Sequence, residues 1–223
     1  ILYEDRWGGE MNWTPEFRGG DSIYGESILT QRWEVFGTYQ LPLKEEVYFQ
    51  FSSNGHLQDS YYGDMQYLAS QYVSFGQLYW NKTLGKHAFT SALVYRYNFY
   101  DDNTTATSVE IENQNAENAP SVIHLPGAFV QDEITLNDQS KFLLGMRYDY
   151  NNLHGNIWTP RINYKWNSKN KNSTLRIGAG NGFRVVNVFT EDHAALTGAR
   201  KVVFAEALNP ETSYNANINW VQN

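Results

Sequence analysis

The chain has 223 residues, 41% of them hydrophobic and 16% aromatic, with a net charge of −7 and no cysteine. These figures exclude a disulfide framework, thiol catalysis and a zinc–thiolate site, and so acidic a balance argues against a nucleic-acid backbone as partner. Mean hydropathy is −0.57, and no run approaches the ~20 apolar residues of a membrane helix; that excludes helical spans and leaves crossing by strands open.

Period-two alternation predicts an all-β chain of ten strands, over about 1–13, 28–41, 46–53, 66–82, 87–99, 127–137, 141–152, 158–167, 173–184 and 211–222. The chain opens inside one strand-like stretch, ILYEDRWGGEMNW, and stops just after another. It reads as a piece of a longer protein, so the missing signal peptide carries no information. In 87–99, Phe89, Leu93, Tyr95, Tyr97 and Phe99 share a face opposite Thr90, Arg96 and Asn98. In 141–152, Phe142, Leu144, Met146, Tyr148 and Tyr150 oppose Gly145, Arg147 and Asp149. In 158–167, Trp158, Pro160, Ile162, Tyr164 and Trp166 oppose Thr159, Arg161, Asn163 and Lys165. Two positions resist this pattern. Leu78 and Trp80 conflict with Val73, Phe75 and Tyr79 and suggest a bulge in 66–82, and Asp132 falls on the apolar side of 127–137.

The connections alternate. Short ones, LPLKEE (41–46), TLGK (83–86), NDQS (137–140) and NSKNKN (167–172), are rich in turn residues. Long ones cover 14–27, 54–65, 100–126 and 185–210, with 153–157 a short exception. One trimmed end, one elaborated end and aromatics at the strand ends describe a transmembrane barrel with periplasmic turns and extracellular loops. A soluble β sandwich or surface-binding protein shows the same alternation. Strands of roughly 10–13 residues, close to the ~9–11 that cross a membrane at a tilt, favour the barrel.

From residue 126 on, specific motifs appear: Gly127-Ala-Phe-Val-Gln-Asp-Glu133, Leu144-Gly-Met-Arg-Tyr-Asp-Tyr150, Thr159-Pro-Arg161, Leu175-Arg-Ile-Gly-Ala-Gly-Asn-Gly-Phe-Arg184 and Leu208-Asn-Pro-Glu-Thr-Ser-Tyr-Asn215. In this order they resemble the barrel of a TonB-dependent outer-membrane receptor. The stretch Phe189-Thr-Glu-Asp-His-Ala-Ala-Leu-Thr-Gly198 is similar to versions from Bacteroidetes-type bacteria, and His56–Gly63 and Tyr100–Asn103 also look like that group. Residues 1–125 otherwise match in pattern more than in motif.

The resemblance implies a central segment of a plugged barrel of roughly 22 strands. It implies a Gram-negative outer membrane, with membrane lipid, the protein's own plug domain and the TonB complex as partners. The implied activity is import of a ferric siderophore, haem or cobalamin, and a ferric siderophore is favoured. A passive porin is the rival within transport. Gly178, Gly180 and Gly182 line one face, where missing side chains admit another segment; in the family that segment is the plug. Arg147, Asp149, Arg161, Arg176 and Arg184 are expected to face it.

Candidate ligand residues lie in the predicted outer loops. Tyr61, Tyr62 and Tyr100 would stack on a flat ligand or anchor the wall at the interface. His56 with Asp59, His124, and His193 beside Glu191 and Asp192 would ligand haem iron or touch a chelate, with ordinary loop histidines as the alternative. His87 flanks a turn at the other end and is a poor ligand. Asp101 and Asp102, with Glu110, Glu112 and Glu117, would hold calcium, which takes six to eight oxygens, or form a solvated acidic loop; no calcium-loop spacing is present. No catalytic motif appears, so the reading is not an enzyme.

Overall fold

The computed structural model describes residues 1–109, 117–185 and 209–222. Ten long strands form one antiparallel sheet. In chain order they are β1 (Leu2–Gly9), β2 (Gly25–Gln40), β3 (Glu46–Tyr62), β4 (Met65–Leu84) and β5 (His87–Asp102), then β8 (Ser121–Asn137), β9 (Ser140–Asn151), β10 (Gly155–Asn167), β11 (Ser173–Arg184) and β12 (Glu211–Gln222). Each pairs with the long strand before and after it. Between β5 and β8, a two-residue ribbon of β6 (Ser108–Val109) and β7 (Glu117–Asn118) decorates the connection.

Four tight turns, at 41–45, 85–86, 138–139 and 168–172, occupy one end of the sheet. Lys82 closes the first of them with a 2.6 Å ion pair to Glu45. That bond, with one from the Trp80 indole, holds the Glu45 carboxyl below the ordinary carboxylate range. The other end carries the 10–24, 103–120 and 185–210 connections, but also two tight turns at 63–64 and 152–154.

The predicted loop at 54–65 is therefore strand. β3 and β4 pair from Glu46↔Asn81 to Tyr62↔Met65 without interruption. Their turn has Gly63 at φ 63, a conformation glycine adopts at no steric cost. Asn54-Gly55 imitates a turn, yet Gly55 is mid-strand: a Cβ there would meet the Trp33 indole at 2.2 Å. The ring of the neighbouring strand fills the space that the glycine leaves. His56, Tyr61 and Tyr62 consequently lie on a strand, and Tyr100 and His124 on β5 and β8.

The bulge expected in 66–82 is absent, because β4 keeps register with both neighbours. A shift occurs instead in β8, between Thr135 and Asn137. Val73, Phe75 and Tyr79 simply lie on the polar face. There Tyr79 stacks on Tyr48 at 5.0 Å, and the Arg96 guanidinium sits 5.9 Å from the Phe75 ring. Asp132 does lie on the apolar face, where the His87 imidazole Nδ1 meets its Oδ2 at 2.6 Å.

Register makes the two faces continuous across the strands. One carries Phe49, Leu78, Leu93, Tyr148 and Trp158, and also Leu144, Ile162, Ile177 and Ile218. Leu93 is 66% exposed and Ile218 76%, so the described residues do not cover this face. So broad an exposed apolar band suits lipid rather than water. Between Tyr72 and Trp80 on β4 the band is about nine residues tall, the span of a tilted membrane strand. β4 has 20 residues, so it extends well beyond that band. β9 and β12 have 12 each.

Candidate functional site

The opposite face is polar, and its charges concentrate on β8–β11. On these four strands Lys141, Arg147, Arg161, Lys165, Arg176 and Arg184 share the face with two acids, Glu133 and Asp149. A strongly basic patch on a chain of net charge −7 marks a surface built to meet negative groups.

Within it the arginines differ. Arg147 grips Asp149 with two bonds, Nε to Oδ2 at 2.7 Å and Nη2 to Oδ1 at 2.6 Å. The two residues are i and i+2 on β9, so they share a face, and the Asp149 side chain is fully buried. It lies over Gly127, where a Cβ would meet Asp149 Oδ1 at 2.3 Å. Arg161 stands opposite Gly145 on one side and Gly180 on the other. Among the described residues, neither Arg161 nor Arg176 forms an ion pair. Lys165 sits in register between Lys141 and Arg176, and in that like-charged row only Lys141 is neutralised, by Glu133 at 2.5 Å. Arg184 is in register with Glu211.

The three glycines do not all leave open space. Above Gly178 a Cβ would strike Asn163 Oδ1 at 2.5 Å and Asn217 Oδ1 at 3.2 Å, so side chains of the same sheet occupy that site. At Gly180 the Pro160 carbonyl lies 3.1 Å from such a Cβ, and at Gly182 the Ser213 hydroxyl lies at 3.4 Å.

The candidate ligand residues separate in the same way. Tyr62 and Tyr100 lie on the polar face; Tyr61 and His124 lie on the apolar one. The Arg18 guanidinium covers the Tyr61 ring at 4.4 Å, and His124 Nδ1 is 2.7 Å from the Tyr95 hydroxyl. His56 is on the polar face, with Gln58 Oε1 3.4 Å from its Nε2. His193, Glu191, Asp192, Glu110 and Glu112 lie outside the described residues.

Asp101 and Asp102 point to opposite faces of β5, so they do not form one calcium site. Among the described residues, no three His, Cys, Asp or Glu converge on a point. Asp102 anchors the loop instead. Its Oδ1 accepts the Thr104 N–H and hydroxyl, both at 2.8 Å, and the Thr107 hydroxyl at 3.0 Å. Tyr100 donates to its Oδ2 and lies 3.0 Å, oxygen to oxygen, from the Tyr67 hydroxyl. Tyr67 and Thr107 are each only 1% exposed. Tyr100 is thus committed to a buried network at the root of the 103–120 connection. The sequence hides this network, because Tyr67 and Thr107 look like ordinary strand and loop residues.

An antiparallel wall with a lipid-type apolar face and a polar, basic inner face is a segment of a transmembrane β-barrel. The family model for TonB-dependent receptor-like β-barrels matches residues 3–223. The chain belongs to the TonB-dependent receptor β-barrel family, whose members are receptors and transporters rather than enzymes and whose barrels sit in the outer membrane of Gram-negative bacteria. No curated protein matches the sequence.

Among solved structures it is similar to the siderophore receptor PirA from Pseudomonas aeruginosa, with a TM-score of 0.64 and 15% identity, over 88% of this chain and 37% of that one. A mutant of the ferric enterobactin receptor PfeA from the same organism gives 0.56 and 13%, over 74% of this chain and 26% of the other. A PfeA mutant in complex with enterobactin gives 0.53 and 15%, over 74% and 27%. At these identities the likeness concerns the fold. The chain spans 37% of PirA and about a quarter of PfeA.

Proposed function

We propose that this chain forms part of the wall of an outer-membrane receptor that binds a scarce nutrient and imports it with energy relayed by TonB. A ferric siderophore is the favoured cargo. The observation that carries this reading is the family match along nearly the whole chain, joined to a fold similar to PirA and PfeA, which are siderophore receptors. The basic inner face of β8–β11 supports the same reading, since it suits either an acidic surface of a plug domain or an anionic chelate passing it. Transport belongs to the intact receptor, with its plug and its TonB-contacting segment.

Growth of an iron-starved strain lacking the intact receptor tests this reading. Complementation should restore growth on one or more defined ferric siderophores, and only while TonB is present. Rescue by haem alone, or a phenotype confined to cobalamin, would replace the cargo and keep the family mechanism. Rescue without TonB would overturn the active-transport reading.

A further inference from the structure

The outward face carries a cavity that the inner-face reading does not use. Trp33, Gly55, Tyr72 and Phe99 form one cross-strand row, the aromatic border of the apolar band on the loop side. The next row towards the loops is Tyr3, Gln31, Leu57, Ser70 and Asp101. This row floors a cavity of ≈ 880 Å³, roofed by Asn103, Thr104, Thr105, Ser108 and Asn118 of the connection after β5. Leu29 and Leu68 extend its apolar wall. The volume suits a small ligand, and the position, one row beyond the aromatic border, is that of lipid headgroups.

Charge narrows the occupant. Among the described residues the lining holds the carboxylates Asp59, Asp101 and Asp102 and no lysine, arginine or histidine. Asp102 is taken up by Thr104, Thr107 and Tyr100 on the other face. Asp59 is occupied by Arg18 at 3.0 Å and Gln66 at 3.3 Å. Asp101 is the least committed: among the described residues its Oδ2 receives one bond, from Asn118 at 3.3 Å, and its Oδ1 none. A carboxylate so sparsely bonded favours a cationic N–H donor beside it. A phosphate head would meet like charge at these carboxylates.

We propose that this cavity seats the amine head of a membrane lipid on the outer wall of the barrel, with Asp101 as its counter-ion and Leu57 against the start of its chain. The site opens on the outward face, away from the basic inner face, and its test reads lipid-head binding alone.

The test is calorimetric titration of the intact receptor in neutral detergent. The probes are dodecylamine, dodecanol, dodecyl phosphate and propylamine. Dodecylamine should bind saturably at one site, and the other three roughly tenfold more weakly or not at all, as expected when both charge and chain are recognised. Asp101→Asn should weaken dodecylamine by a similar factor. Leu57→Trp, which crowds the place of the first chain carbons beside Asp101, should weaken its binding by a similar factor. Asp132→Asn, at the other end of the same face, should leave it unchanged. Equal binding of dodecanol, no saturable binding, or an unaffected Asp101→Asn protein would each overturn the proposal. Propylamine as tight as dodecylamine would show a soluble amine and overturn the lipid. Loss of binding in Asp132→Asn would show non-specific adsorption. If Asp101→Asn fails to assemble, an assembled Leu57→Trp protein that binds dodecylamine as tightly as the wild type sinks the idea.

Discussion

The Asp149 carboxylate rests on Gly127 of the neighbouring strand, so closely that a single Cβ at Gly127 would meet its Oδ1 at 2.3 Å and the Tyr148 carbonyl at 2.9 Å. This contact joins two of the motifs that mark the family. The glycine of Gly127-Ala-Phe-Val-Gln-Asp-Glu133 makes room for the aspartate of Leu144-Gly-Met-Arg-Tyr-Asp-Tyr150, and the aspartate in turn holds Arg147. Gly127→Ala should therefore destabilise the barrel by about 1–3 kcal/mol, the usual cost of overpacking. Asp149→Ala should cost a similar amount by leaving Arg147 unpaired, about 1–3 kcal/mol given its partial exposure. The double variant should be less destabilised than the two single effects added, because the clash is gone. Heat-modifiable migration of the intact receptor in detergent measures all three. Strict additivity would show that the contact does not matter.

The strands and their faces were legible because lipid and lumen impose period two on nearly every segment. The alternation in 158–167 is reproduced residue by residue in the pairing of β10 with β9 and β11. What misled was local chemistry with a tertiary answer. The stretch 54–65 reads as a loop until β3 and β4 are seen to pair through it, and Phe75 or Tyr79 reads as a lipid residue until Arg96 or Tyr48 is placed beside it. The inner arginines were readable from parity alone. Which of them is already paired was not, since Arg147 and Arg161 have the same facing and differ only in their neighbours: Asp149 for one, Gly145 and Gly180 for the other. Asp101 and Asp102 show the same limit, since adjacency in sequence means opposite faces in a strand.

Asp102 serves as a latch. Its carboxylate and backbone tie down Thr104 and Thr107, so Asp102→Ala takes from the half-buried Thr104 N–H its acceptor and from the buried Thr107 and Tyr100 hydroxyls one of their partners. The expected cost is about 1–3 kcal/mol, local to the root of the connection. Limited proteolysis of intact receptor in detergent should then cut within 103–120 at lower protease concentration, with the heat-modifiable barrel band unchanged. Cleavage at the wild-type rate would show that other contacts hold the loop.

Removal of 104–120 tests whether this connection contributes to cargo capture. The ten-strand wall closes its hydrogen bonds without the segment, because β5 pairs directly with β8 from Tyr100↔Ser121 to His87↔Ile134. Assembly should survive the deletion and uptake should weaken. Full uptake by the deleted receptor would take the loop out of the binding role.

Arg161 and Arg176 test the inner face. Both are basic groups without an ion pair among the described residues, and Arg161 has glycines on both flanking strands, leaving its guanidinium room to reach inward. Reversal of charge, Arg161→Glu or Arg176→Glu, leaves the strand pairing intact, so barrel stability should change by less than about 1 kcal/mol, as for a change outside any packed contact. A partner filling the lumen would feel the reversal strongly, since a like charge at such a contact costs several kcal/mol. Import should fall, with antibiotic leakage through the poorly filled barrel as its companion, while cargo affinity at the cell surface stays near the wild-type value. A loss of surface binding with import per bound molecule unchanged would mean that these arginines meet the cargo rather than the plug.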